Sequence, residues 1–146
     1  MFSFLERKEP VPRDLERVIF DIAEFQREED YRVLYGHMRA RLVFLPVDPS
    51  TIPDEWDLDT NRIVMPTDGL GLRGVSGPNG TLLAFAATTS DNPALRANYV
   101  RVYWTDFLEM TLHLDSSFWG AMLQGVSSWV AFDRDRIRYI LSGAWT

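Results

Sequence analysis

The stretch RLVFLPV at residues 41–47 constrains the fold more than any other part of this chain. Leu42, Val43, Phe44, Leu45 and Val47 leave almost no polar alternation. A strand with one wet face alternates apolar and polar side chains, so an unbroken apolar run predicts a strand buried on both faces. Such a strand needs neighbours in a sheet and cover on each side of it. Pro46 has no backbone donor, which predicts that the end of this strand lies near a sheet edge.

The cover is expected from helices on either side in sequence. In DLERVIFDIAEFQRE (14–28), Leu15, Val18, Ile19, Ile22 and Phe25 recur at helical spacing and form one apolar stripe. Asp14 is placed to cap the start. Residues 30–40 predict a second helix, with Tyr31, Leu34, Tyr35 and Met38 on its apolar side. Short strands are expected at 62–65, 69–75 and 81–87, with Gly77-Pro78-Asn79-Gly80 turning the last hairpin, because Asn-Gly supplies positive φ angles. A short helix through Ala97 is expected after a cap at Ser90 or Asn92. At 99–104, Val100, Val102 and Trp104 alternate with Tyr99, Arg101 and Tyr103, the mark of a strand with one face inward. Thr105 or Asp106 is expected to cap a helix to Leu112, and 116–124 reads as a short amphipathic segment. Ser127–Phe132 is the last strand and Asp133 caps the last helix. The fold class expected is α+β: one compact domain over 13–146, a mixed sheet of about five to six strands with helices packed on it, preceded by an arm at 1–12.

Composition narrows function. The chain has 146 residues, no cysteine and a formal charge of −6. Cysteine nucleophiles, thiolate metal sites and disulfides are therefore excluded. Nucleic-acid affinity rests on Lys and Arg neutralising phosphates, so no nucleic-acid partner is expected; Arg32, Arg39 and Arg41 are the richest basic set. No apolar run approaches a membrane span, and charged residues arrive by position 6, so a cytoplasmic protein without membrane association is expected.

The residues able to carry chemistry each have a plainer role. Thr88-Thr89-Ser90 forms a hydroxyl corner before Asp91-Asn92-Pro93. The glycines of a nucleophile elbow are missing, so capping is favoured over contact with a ligand or anion. Asp57, Asp59 and Asn61 sit at the first three oxygen positions of a calcium loop, but Arg62 stands where the turn needs glycine. His37 and His113 lack the convergent ligands zinc needs, even counting Glu109 and Asp115 near His113. Gly69, Gly71 and Gly74 match a dinucleotide fingerprint in letters but not in context, since no helix follows. No catalytic residue, metal or cofactor is expected. Trp56, flanked by Asp54, Glu55 and Asp57, stands in an acidic loop, where a clasp onto the body is favoured over an interface anchor. Trp56, Asp57 and Asp59 are the candidate partner contacts, and Thr88, Thr89 and Ser90 the candidate ligand or anion contacts.

Three segments together carry a family resemblance: LYGHMRARLVFLPV (34–47), LLAFAATTSDNPALRA (82–97) and SSWVAFDRDRIRYIL (127–141). A helix leading into a strand that ends near Val-Pro, a middle strand ending in a Thr-Ser corner before a short helix, and a late closing strand resemble the SseB-like N-terminal domain. Thr88 stands where that family usually has an aromatic. The resemblance implies a bacterial α+β binding or regulatory module without a catalytic residue set, in some members near secretion or toxin systems. The expected function is a non-enzymatic protein-binding or regulatory module, with a homodimer through residues 1–12 as a linked expectation. A small-ligand sensor with its pocket at Thr88–Ser90 is the alternative, and a hydrolase using carboxylates such as Glu109 and Asp115 the third.

Overall fold

A computed structural model describes residues 13–48, 50, 74–77, 80–95 and 99–146. The chain begins with two helices, α1 (Leu15–Phe25) and α2 (Glu28–Met38). Strands β1 (Leu42–Pro46), β2 (Gly74–Ser76) and β3 (Leu82–Ala87) follow, then a 3-10 turn at Pro93–Leu95. The second half is β4 (Tyr99–Tyr103), α3 (Trp104–Leu112), β5 (Phe118–Gln124), β6 (Trp129–Asp133) and α4 (Arg134–Ser142). The sheet runs β4-β1-β3-β5-β6, with β2 also paired to β3. The β3–β5 pair is parallel and the others antiparallel. This is the α+β architecture with a mixed sheet that the sequence predicts.

The helices pack on one face of the sheet. Val18, Ile19 and Ile22 of α1 and Leu34, Tyr35 and Met38 of α2 join Phe107, Leu108 and Ile137 over Val43, Leu45, Val102, Leu123 and Phe132. Asp14 caps α1, its Oδ1 accepting from Arg17 N at 2.8 Å. Asp133 caps α4 the same way, accepting from Arg136 N at 2.8 Å. On the other face a smaller cluster gathers Leu83, Phe85, Ala87, Leu95 and Met122, with Phe44, Tyr99 and Ala131 against it. On this face Leu42 and Phe44 are only half-buried, so residues 41–47 are fully buried on the helix side and partly covered on the other.

Several expectations need correction. Residues 118–124 form β5, an interior strand between β3 and β6. An apolar run this short carries no helix-or-strand signal of its own; its parallel pairing with β3 decides. Pro46 does not mark an edge, because β1 lies between β3 and β4, and Pro46 closes the ladder opposite Tyr99. The helix after β4 starts at Trp104, with no side-chain cap from Thr105 or Asp106. Trp104 N instead donates to Arg41 O at 2.9 Å, so tertiary contact replaces the cap. The short helix after the corner is a 3-10 turn, with Asn92 rather than Ser90 accepting from Ala94 N at 2.9 Å. Phe25 leaves the stripe: it is 57% exposed, with the Arg27 guanidinium 4.7 Å from its ring centre. Gly74–Ser76 pairs with β3, and Gly77 N donates to Thr81 O across the turn where Gly80 takes φ 75°. The arm at 1–12, the strand at 62–65 and the segment holding Trp56, Asp57 and Asp59 lie outside the described residues.

Candidate functional site

The hydroxyl corner follows directly from the end of β3. Thr88 is buried, its N–H donating to Gln124 O at 3.0 Å in continuation of the parallel pairing. Its hydroxyl turns away from the turn and donates to Glu16 Oε2 at 3.0 Å. The other oxygen of Glu16, Oε1, accepts from Val126 N at 2.7 Å. One carboxylate therefore ties α1 to the end of β3 and to the turn between β5 and β6. A Cβ at Gly125 would stand only 2.3 Å from Glu16 Oε1, so glycine is what lets that carboxylate approach the turn. Thr89 Oγ1 donates to Asp91 Oδ1 at 2.7 Å, and Ser90 is exposed. The corner is a junction first: two of its three hydroxyls already donate inside the chain.

Helical spacing on α1 extends this junction into a surface. Glu16, Phe20 and Ala23 share one flank at i, i+4 and i+7. Glu16 binds the turn at Val126, and Ala23 lines a groove with Ile22, Gln26, Tyr31, Trp129, Val130 and Ala131. That flank therefore runs beside the β5–β6 hairpin. Three large apolar side chains stand in the open along it: Val126 at 73%, Trp129 at 50% and Phe20 at 39% exposure. Arg17 covers part of Phe20, its guanidinium 5.2 Å from the ring centre. The sequence singles out Trp56 as the exposed aromatic and places Trp129 within a strand. Strict alternation on β6 was the available signal: Val130 and Phe132 point inward, which turns Trp129 out.

A charged junction holds the two helices together. Asp30 and Asp21 are buried beneath Arg13, whose Nη1 reaches Asp21 Oδ2 at 2.6 Å and Asp30 Oδ1 at 2.8 Å. Arg27 Nε adds a contact to Asp30 Oδ2 at 2.8 Å. Burial alone would push the Asp30 carboxyl up, but hydrogen bonds from Arg13 and Arg27 overcome it and hold it below the usual carboxylate range. His37 Nε2 lies 2.9 Å from the Arg13 carbonyl, an acceptor, so this nitrogen carries the proton. On the far side of α2, Arg136 forks onto Glu28 and donates to Tyr35 Oη at 2.9 Å. The Arg136 bond holds the Glu28 carboxyl low.

The remaining candidates stay apart. Glu109 and His113 are exposed on and just beyond α3. Asp115 accepts from the hydroxyl and N–H of Ser117, and these bonds keep its carboxyl low, the wrong direction for a general acid. Among the described residues no group of three or more His, Asp or Glu could hold a metal, and no helix is long and apolar enough to cross a membrane. Of the basic set, Arg32 lies beside Glu28, Asp133 and Asp135, and the Arg39 guanidinium stacks 4.9 Å from the Trp145 ring centre. Comparison with protein-family models, with curated proteins and with solved structures finds no match.

Proposed function

We propose that this domain is a non-enzymatic protein-binding or regulatory module that presents the α1 flank and the β5–β6 hairpin to a partner. The observation that carries this reading is the exposure of Phe20 on α1 and of Val126 and Trp129 on the β5–β6 hairpin, two elements joined by Glu16 and by the groove that Ala23 and Trp129 line. Tryptophan is the side chain most enriched at the energetic centres of interfaces, where a large apolar body becomes fully desolvated. The bacterial setting, and any link to secretion or toxin systems, rests on the SseB-like resemblance alone, and the cytoplasmic setting is carried over as an expectation of the sequence. Trp56, Asp57 and Asp59, and a homodimer through residues 1–12, belong to the same reading as further contacts.

A pull-down at endogenous level tests it, comparing the wild-type chain with Trp129→Ala and Trp56→Ala. A stoichiometric partner lost with Trp129→Ala is the expected result. A chain recovered alone, or a partner retained by both variants, overturns the assignment of this face. The small-ligand sensor at Thr88–Ser90 is the weaker reading, because Thr88 and Thr89 already donate to Glu16 and Asp91. A melting temperature raised by a metabolite in proportion to its concentration would restore it.

A further inference from the structure

We infer that the outer edge of β6 accepts an extended segment of a partner protein as an added strand, with an apolar side chain in the groove beside it and a basic residue towards Asp133. This inference rests on the binding-module reading and names the site and chemistry of the partner.

The hydrogen-bond register identifies the free groups. Gly125 N donates to Ser128 O at 2.7 Å, so Gly125 and Ser128 are a hydrogen-bonded pair. Antiparallel pairs alternate, so Leu123–Val130 is also bonded, while Gln124–Trp129 and Met122–Ala131 are not. A second bond agrees: Gln124 O is used by Thr88 N on the β3 side, so the backbone polar groups of Gln124 face away from β6. The N–H and C=O of Trp129 and Ala131 therefore point outward from the sheet. β6 ends the strand order, and no described residue pairs with that edge. A row of free donors and acceptors on an edge strand is a template for another strand.

The surroundings select the occupant. The groove of about 410 Å³ lies along this edge, walled by Ile22, Ala23, Val130 and Tyr31, and suits an apolar side chain. Past Tyr31, whose ring carries Arg136 4.1 Å from its centre, a second depression of about 420 Å³ includes Asp133, Asp135, Glu28 and Arg32. Arg136 is committed to Glu28 and Arg138 to Asp135 at 3.0 Å, which leaves Asp133, whose Oδ1 also caps α4, as the carboxylate there without an ion pair among the described residues. That carboxylate, on a chain of net charge −6, complements a basic residue and disfavours a second copy of this chain.

The probe is a synthetic peptide of alternating valine and threonine with lysine at both ends. Its control carries N-methyl groups on the amides of alternate residues, which removes the donors of one strand edge. Binding is read by titration, and the site by hydrogen exchange at the Trp129 and Ala131 amides. The inference expects saturable binding, protection of those two amides, and at least about a tenfold loss of affinity on N-methylation. Ala23→Arg, on the exposed flank of α1, should weaken the peptide similarly by filling the groove with charge while leaving the fold intact. Binding indifferent to both changes, no binding at millimolar peptide, or protection confined to other strands overturns it. A dimer in sedimentation equilibrium that Ala23→Arg disperses would assign the edge to a second copy instead and also overturns it. If Trp129→Ala abolishes capture of the cellular partner while Ala23→Arg and Ala131→Pro do not, the binding-module reading stands and the added strand falls.

Discussion

At the scale of the residue, side chains with ordinary local roles turn out to hold distant elements together. Glu16 lies off the apolar stripe of α1, and its type says only that it is soluble. In the fold it receives the Thr88 hydroxyl and the Val126 N–H, joining three elements through one carboxylate. Thr88→Val keeps the shape and removes one donor, and should lower stability by about 1 kcal/mol in urea titration. An unchanged midpoint would show that the Thr88–Glu16 bond contributes nothing net. Arg134 is a second case. Its guanidinium donates to the carbonyls of Leu112, Leu114, Asp115 and Phe118. It thereby satisfies acceptors left over at the end of α3 and along the connection to β5. Arg134→Ala should cost about 2 kcal/mol or more, and Arg134→Lys should recover less than half, because an ammonium cannot fork to several planar acceptors. Equal stability of the Lys variant and wild type would sink this account.

At the scale of the element, β5 is the piece that sequence pattern concealed and pairing revealed. FWGAMLQ has no period that separates strand from helix. What holds it in place is β3 on one side, β6 on the other, and a glycine at the crowded point. A Cβ on Gly120 would lie 1.9 Å from Phe132 O, a backbone atom that cannot swing aside. Gly120→Ala should therefore force β5 and β6 apart and destabilise the chain by about 3 kcal/mol or more, or prevent folding, read by thermal melting and soluble yield. A variant with wild-type melting would contradict this packing. β3 shows the complementary lesson. Leu83 to Ala87 are all buried, so it is β3, with β1 and β2 on one edge and β5 on the other, that is covered on both faces. RLVFLPV and LLAFAATT carry the same unbroken apolar signal, and only the strand order tells which of them is more deeply enclosed.

At the scale of the whole molecule, the charges set how stability depends on pH. Asp30, Glu28 and Asp115 all have carboxyl groups held below their ordinary values in the fold. A depressed folded value means that the unfolded chain takes up protons first. The stability these groups supply is fully present above about pH 4–4.5 and drains away as pH falls through their folded values. Urea midpoints should be level in the neutral range and decline in acid. Asp30→Asn should be less stable at neutral pH and show a flatter acid decline, since Arg13 and Arg27 then lack the charge they converge on. An identical acid slope in that variant would remove Asp30 from the account.

Periodicity alone determined much of this protein. The two opening helices, the inward alternation of Val100, Val102 and Trp104, and the caps at Asp14 and Asp133 depend on residues within a few positions of one another, and such short-range physics is written in the local sequence. The hydroxyl corner was legible as a corner for the same reason. The tertiary structure alone decided that 118–124 is a strand, that Trp129 is exposed, that Glu16 and Arg134 are junctions and that, among the described residues, β6 ends the sheet. Each of these depends on groups brought together across the fold: Glu16 meets Val126 over 110 positions of chain. A carboxylate, a guanidinium or an edge strand has the same local sequence whether or not a partner waits for it, and only chain closure supplies or withholds that partner.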